Sequence, residues 1–480
     1  MRTEGTDGKL HEECAVFGVS LVSGNEAAGI TYNGLLTLQH RGQQSAGIAV
    51  VSGNEIYSHK NEGHVNEVFT NKVLGAFPES RTAVGHTRYS KSGSSAPGFT
   101  PSEGAGPFVT EYLTGRIASS LNGTLSNAAE IRGRLKSHGL NFHANSNNEL
   151  VSSLIAYCIM KEENPLRGVI RAANDLKGAF SMVIMTGDNR LIAVRDPNGY
   201  RPLCIGKSDA GVCVASESCA LDTCGFEFLR DVKPGEVIAI EDGKITFQSV
   251  ELHKKSKDGG LCVFEYVYFA RTDSLIDGLS VYEARYNMGK VLAREYPVEA
   301  DVVCGVPDSG LDAAIGYSAE SGIPLVTGFV MNRYVGRSFI YPTQSQRESV
   351  VKIKLNPLTA NVRGKRMVIL DDSIVRGTTT ANIIMNLKSA GAKEVHVRIS
   401  SPPFTHMCHY GTDIAAPEDL IANRMSLEGI RKQIGADSLG YISMGGLREA
   451  CGKCGLPFCT NCFTGDNDGT EDEEAEQMEL

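Results

Sequence analysis

The chain has 480 residues, 41% of them hydrophobic and 21% charged, with no tryptophan; at about 150 residues per domain this suggests two or three domains with substantial cores. No apolar run of about 18 residues is long enough to span a bilayer, and the opening MRTEGTDGKLHEE lacks the basic start and roughly 7 to 15 apolar residues of an export signal. A membrane protein is excluded and the cytoplasm is expected. The net charge of −9 is concentrated at the end, where residues 466–480 hold eight acidic residues and no basic one. The nearly neutral body left over offers neither a nucleic-acid surface nor a membrane-binding face, and the tail reads as a solvated, disordered terminus.

In chain order, residues 14 to about 240 alternate β-rich runs (AVFGVSLV, SAGIAVV, AFSMVIM, RLIAVRD, GVCVASE, GEVIAIE) with two helical patterns, AAGITYNGLLTLQH and NAAEIRGRLKSHG. Many short strands with helices of 3.6-residue apolar period predict layered sheets covered by helices. The polar stretch EDGKITFQSVELHKKSKDGG is an edge hairpin or a connector, with a domain boundary near 255. Beyond it DVVCGVP, IPLVTGFV, RMVILDD and KEVHVRISS alternate with helical stretches, the pattern of a parallel sheet with crossover helices. A long polar segment at 332–363 reads as a functional or mobile loop.

VILDDSIVRGTTT, from Val368 to Thr380, runs an apolar strand into two aspartates and then a Gly/Thr loop opening a helix. Asp371 and Asp372 fall at the carboxyl edge of the sheet, where carboxylates can hold ribose hydroxyls or a hydrated magnesium ion. Gly377 lets backbone approach a ligand, and the N–H groups and hydroxyls of Thr378, Thr379 and Thr380 at a helix N-terminus suit a phosphate.

This string resembles the ribose-phosphate signature of type I phosphoribosyltransferases. FEYVYFARTDS, GVPDSG and NRYVGRSFIYPTQSQR narrow the resemblance to the glutamine phosphoribosylpyrophosphate amidotransferase family, which catalyses the first committed step of purine synthesis. The resemblance implies magnesium linked to Ser309, Asp371 and Asp372, phosphoribosyl diphosphate held by Arg376 and residues 377–380, and a loop closing over it. Arg333, Arg337, Lys352 and Lys354 are suitable cations for a diphosphate whose charge grows as it leaves.

Cys14 stands in LHEECAVFGVS, between polar residues and the first strand. With residues 1–13 removed, its thiol and a new α-amine of pKa about 7.7 to 8.0 would share one residue, and the amine could serve as the base. This is similar to the N-terminal-nucleophile glutamine amidotransferases, as are NGLLTLQHRGQQSAGIAV, GHTRYSKSGSS, SLNGTLSN and RDPNGYRPL. The resemblance implies Arg88 on the α-carboxylate of glutamine, Arg41 in the same pocket, and an oxyanion hole from Asn122 and Gly123, each donor worth about 2.7 to 4 kcal/mol. It implies a propeptide at 1–13, a four-layer αββα glutaminase domain at 14–254, a parallel-sheet phosphoribosyltransferase domain at 255–465, and a tail at 466–480. Ammonia would pass inside the protein between the two sites. A homotetramer and inhibition by purine nucleotides are implied as well.

The chain departs from the family pattern around glutamine. Asn147 stands where an aspartate usually meets the α-ammonium, a change worth about 1 to 3 kcal/mol, or roughly 5- to 150-fold in affinity. Leu121 replaces a histidine before Asn-Gly, and Gly104 and Gly106 replace amide residues before Pro107 and Phe108. A transferase fed by ammonia or another amine is therefore the first rival reading, and a nucleotide-sensing protein without turnover the second.

Thirteen cysteines are too dilute for a disulfide scaffold and more than packing needs. CGKCGLPFCTNC could form a local zinc site, although its pairs are closely spaced for one. One branch of the resembled family binds a four-iron four-sulfur cluster, and its pattern falls on Cys262, Cys408, Cys459 and Cys462, leaving Cys451 and Cys454 unassigned. Cys158, Cys204, Cys213, Cys219, Cys224 and Cys304 read as packing residues.

Overall fold

A computed structural model describes residues 14–89, 104–143, 146–252, 259–332, 355–412, 414 and 416–465. The expected propeptide, most of the 332–363 loop with Arg333, Arg337, Lys352 and Lys354, and the acidic tail lie outside the described residues. The expected boundary near 255 does too.

The first half is two antiparallel sheets. One orders its seven strands as Glu227–Asp231, Cys204–Ser208, Gly211–Ala215, Ala15–Leu21, Thr82–Arg88, Ser45–Ser52 and Glu55–Glu62. The other runs Lys244–Val250, Glu236–Glu241, Leu191–Arg195, Gly178–Thr186, Gly115–Leu125 and Phe108–Tyr112. Alternation along each strand divides the side chains between two cores. Val16 faces the space between the sheets with Val84, Val183 and Ile238, whereas its neighbour Phe17 packs under Leu35 and Leu221 of the outer helices. On the other sheet Leu121 and Phe180 lie beneath Leu154 and Val169. The result is the expected αββα stack. The Glu236–Glu241 and Lys244–Val250 strands pair as a hairpin at the sheet edge, which settles the hairpin-or-connector alternative for those residues.

The second half is a four-stranded parallel sheet, ordered Val302–Gly305, Arg366–Asp371, Glu394–Ile399 and Ser438–Tyr441. Helices Val281–Glu295 and Leu311–Ser321 cover one face, and Thr378–Ser389 and Leu427–Ile434 the other. IPLVTGFV does not form the continuous strand that its composition predicts. Leu325 makes a single parallel bridge to Val303, and Phe329–Met331 pairs antiparallel with Leu355–Pro357. Gly328 marks the break, where a Cβ would lie 2.6 Å from Cys304 Sγ. Among the described residues no helix is long and apolar enough to cross a membrane.

Candidate active sites

Cys14 immediately precedes the Ala15–Leu21 strand, whose first residue pairs with Thr87. This sets the thiol beside the end of the Thr82–Arg88 strand, 3.9 Å from the carbonyl of Tyr89. Cys14 is buried and sits at φ 69°, a left-handed conformation uncommon for a residue with a Cβ. From the same neighbouring strand, buried His86 reaches across the sandwich and its Nε2 lies 3.0 Å from the carbonyl of Leu121. Burial, with Arg88 and Lys60 nearby, pushes that imidazole down to about 3, so it is neutral at physiological pH. Asn122 follows at 0% exposure, and neither Nδ2 nor Oδ1 has a hydrogen-bond partner among the described residues. A fully buried amide with both ends unsatisfied is costly unless a ligand completes it. Gly123 has φ 140°, and a Cβ there would fall 2.0 Å from the Ala179 carbonyl, so only glycine fits beside the amide.

Ser146 caps the helix Asn147–Glu162, accepting from Glu149 N at 3.1 Å. Asn148 Oδ1 accepts from Leu121 N at 2.9 Å, which docks this helix start against the strand of Asn122. Asn147 is half-buried at the first position. The departures at 104 and 121 have local reasons. A Cβ on Gly104 would lie 2.1 Å from Arg88 Nη1, so the guanidinium fills the space a side chain there would take. Leu121 belongs to the apolar layer beneath the outer helices. Lys60 ties the segment down, donating to the Ala105 carbonyl at 2.7 Å over the Phe108 ring. The buried guanidinium of Arg41 donates to Glu217 and, at 2.5 Å, to Glu265.

In the second half, Asp371 ends its strand and Asp372 follows, both buried. Ser309 and Ser373 each donate to the Asp372 carboxylate. Gly377, at φ 81°, turns the chain into the Thr378–Ser389 helix, whose start has no side-chain cap among the described residues. A concavity is lined by Asp371, Asp372, Ser373, Gly377, Thr378, Thr379 and Thr380. Its acidic rim and open helix N-terminus are complementary to a metal-bound sugar phosphate. Arg376 Nη2 reaches Asp419 at 3.2 Å.

Three chain segments bring the four expected cluster cysteines together. Cys262 pairs in parallel with Cys459, the Cys462 carbonyl accepts from Thr405 and His406, and Cys408 Sγ accepts from Tyr410 N at 3.3 Å. Burial, and then mutual proximity, push the thiols of Cys262 and Cys462 well up, each sensing Cys408 and Cys459. Among the described residues no group of His, Cys, Asp or Glu is gathered to hold a metal ion. A cluster spreads its ligands wider than one ion does, and four thiols within electrostatic reach suit it in donor chemistry. Cys451 and Cys454 form a turn of their own, Cys454 N to Cys451 O at 3.0 Å, and Cys454 interacts with Tyr266.

Sequence reasoning missed Glu217 and Glu265, both fully buried. Each is a lone acid beside apolar or small residues, in VASESCA and VFEYVYF, a composition that signals a paired carboxylate.

Residues 94–223 match the family model for a glutamine amidotransferase domain. The chain is 45% identical over 453 residues to an amidophosphoribosyltransferase of Archaeoglobus fulgidus, covering 94% of this chain and 97% of the relative. It is 43% identical over 466 residues to that of Bacillus subtilis, covering 95% and 94%. Among solved structures, the allosteric regulatory enzyme of purine biosynthesis superposes with TM-score 0.85 at 42% identity, over 94% of this chain and 96% of that one. The B. subtilis glutamine phosphoribosylpyrophosphate amidotransferase complexed with ADP and GMP gives 0.84 at 43%, over 94% and 97%. Fold and sequence together define a glutamine amidotransferase joined to a phosphoribosyltransferase. The chain belongs to the amidophosphoribosyltransferase family.

Proposed function

We propose that the chain is a glutamine-dependent glycosyltransferase that converts glutamine, water and phosphoribosyl diphosphate into 5-phosphoribosylamine, glutamate and diphosphate. The observation that carries this reading is the Asn122 amide, wholly buried with neither end bonded among the described residues. Once residues 1–13 are removed, the α-amine of Cys14 takes the thiol proton as sulfur attacks the amide carbon. Asn122 Nδ2 and Gly123 N–H receive the oxyanion, Arg88 pairs with the α-carboxylate, and Asn147 accepts from the α-ammonium. Arg41 positions this pocket. The thioester is hydrolysed, and ammonia passes through the protein to C1 of the second substrate.

There the N–H groups of residues 377–380 bind the 5-phosphate and Asp371 and Asp372 the ribose. Arg376 guides the phosphate, while Arg333, Arg337, Lys352 and Lys354 receive the diphosphate. Magnesium, when bound through Asp371, Asp372 and Ser309, neutralises diphosphate charge. A four-iron four-sulfur cluster on Cys262, Cys408, Cys459 and Cys462 pins the C-terminal segment to the body. The cytoplasmic setting, an oligomer and inhibition by purine nucleotides complete the reading.

The test is diphosphate release from magnesium and phosphoribosyl diphosphate by anaerobically prepared protein, with glutamine or ammonium as donor. Glutamine-supported release is expected, and no release with either donor overturns the proposal. A second reading, a transferase fed by free ammonia, is favoured by uncharged Asn147; release with ammonium alone would select it.

A further inference from the structure

Cys14 and Asn122 stand on different sheets of the sandwich. Cys14 leads the Ala15–Leu21 strand of one, and Asn122 and Gly123 lie in the Gly115–Leu125 strand of the other. A thiol and an oxyanion hole so divided work only if the two sheets are held in exact relation at this end, because a misplacement of about 1 Å can cost about 100-fold in rate.

The second sheet changes its pairing here. Its edge strand Phe108–Tyr112 stops at the Phe108–Ser119 pair, whereas the Gly115–Leu125 strand continues against Gly178–Thr186 on its other side. Past that point side chains take the ladder's place at Leu121. Asn148 Oδ1 accepts from Leu121 N at 2.9 Å, and His86 Nε2 lies 3.0 Å from the Leu121 carbonyl. A carbonyl only accepts, so the neutral imidazole carries its proton on Nε2 and its lone pair on Nδ1. The carbonyl it holds belongs to the peptide joining Leu121 to Asn122, so His86 fixes the plane from which the Asn122 amide projects.

His86 itself comes from the first sheet, paired opposite Val16 and two residues before Arg88. Val16 is two residues beyond Cys14. The imidazole is thus a strut from the backbone that carries the thiol to the backbone that carries the amide. Packing alone does not call for it. The ring shares its face of the sheet with Val16 and Val84, in an apolar layer completed by Val183. Its Nδ1 is buried without a partner among the described residues, a cost that an aliphatic side chain would avoid. Gly106 makes room for the ring, since a Cβ there would lie 2.8 Å from Nδ1, and this gives the departure at 106 its local reason.

We propose that His86 is a positioning residue for glutamine hydrolysis, its Nε2–H holding the Leu121 carbonyl so that Asn122 and Gly123 stand at working distance from the Cys14 sulfur; the proposal rests on the function proposed above. Glutamate release in the presence of magnesium and phosphoribosyl diphosphate is compared in the unaltered chain, His86→Met, His86→Asn and His86→Gln, with ammonium-dependent diphosphate release reading the other site. The amide nitrogen of glutamine reaches the place of Nε2, whereas that of asparagine stops near Nδ1. His86→Met and His86→Asn are expected to lower kcat for glutamine by about 10- to 100-fold, because the oxyanion develops only in the transition state. The KM should move by less than about threefold, as for an interaction absent from the ground state. His86→Gln should recover most of kcat, and ammonium-dependent release should not change in any variant. A merely structural role would move KM together with kcat, and an imidazole needed to carry a proton would leave His86→Gln as poor as His86→Met. Either result, or an unchanged kcat in folded His86→Met, overturns the proposal. If His86→Met does not fold, His86→Gln against His86→Asn decides, and equal kcat values overturn it. An unaltered chain that hydrolyses no glutamine overturns the reading beneath, and the proposal with it.

Discussion

Arg195 and Asp277 form a bidentate pair across the two halves, Nη1 and Nη2 donating to the two carboxylate oxygens at 2.8 and 2.7 Å. Arg195 ends a strand of the second sheet and is wholly buried. Its remaining donors go to the carbonyls of Arg201, Val232 and Gly199. Burial would lower its pKa, but Asp277 outweighs that and keeps the guanidinium charged. The Asp277 carbonyl also accepts from Gly455 N at 3.1 Å, so one short turn ties the first half to the cysteine-bearing segment. Planar, forked donors meeting both oxygens are what such a joint requires.

Removing one member should expose this dependence. Asp277→Ala leaves Arg195 buried without its counter-charge and is expected to destabilise the fold by about 3–5 kcal/mol. Urea unfolding followed by circular dichroism reads the loss directly, and an unchanged midpoint would show that the pair contributes nothing net.

Asp231 sits against the same turn, and burial, with Asp277 beside it, pushes its carboxyl from 3.8 up to about 7. The folded state then holds a proton that the unfolded state has already released. Its stabilising contribution is fully present below about pH 4 and disappears as pH rises through about 7. Asp231→Asn should flatten that part of the stability profile. Melting temperatures of both proteins across pH 5 to 8 check this, and parallel slopes would refute it.

Much of this architecture is legible in the sequence because of how its strands are buried. Ala15–Leu21 and Gly211–Ala215 are buried throughout and, apart from Ser20, carry no polar side chain, since both faces are covered, so even short runs stand out. Glu55–Glu62 is a largely exposed edge strand without that signal. Helix Asn147–Glu162 is buried nearly all round its first turns, Asn148 and Glu149 included, which erases the amphipathic period. At the sites, Asp371, Asp372 and the threonines are readable because they are contiguous. The Glu217–Arg41–Glu265 joint is not, since it joins side chains 176 and 224 residues apart that only folding brings together.

Asp372 carries two hydroxyl contacts as well as its proposed share of magnesium. Asp372→Asn keeps the shape and removes the charge. Diphosphate release should fall by at least about 100-fold with glutamine and ammonium equally, because the loss lies after the donors converge. A defect confined to glutamine would place Asp372 outside the phosphoribosyl site.

Asn147 offers the reverse experiment. It opens the helix that Asn148 docks against the strand of Asn122, so its backbone is held near the strand that carries the buried amide. If the α-ammonium of glutamine lies there, Asn147→Asp adds the opposing charge where the helix N-terminus also tolerates it. The KM for glutamine should fall by roughly 5- to 150-fold, the range of 1 to 3 kcal/mol for a charge-assisted hydrogen bond. Ammonium-dependent diphosphate release should not change, because that donor never occupies the pocket. A KM that stays constant or rises would mean that this chain orients glutamine through other groups, and would leave Asn147 as the first residue of its helix with no part in the binding pocket.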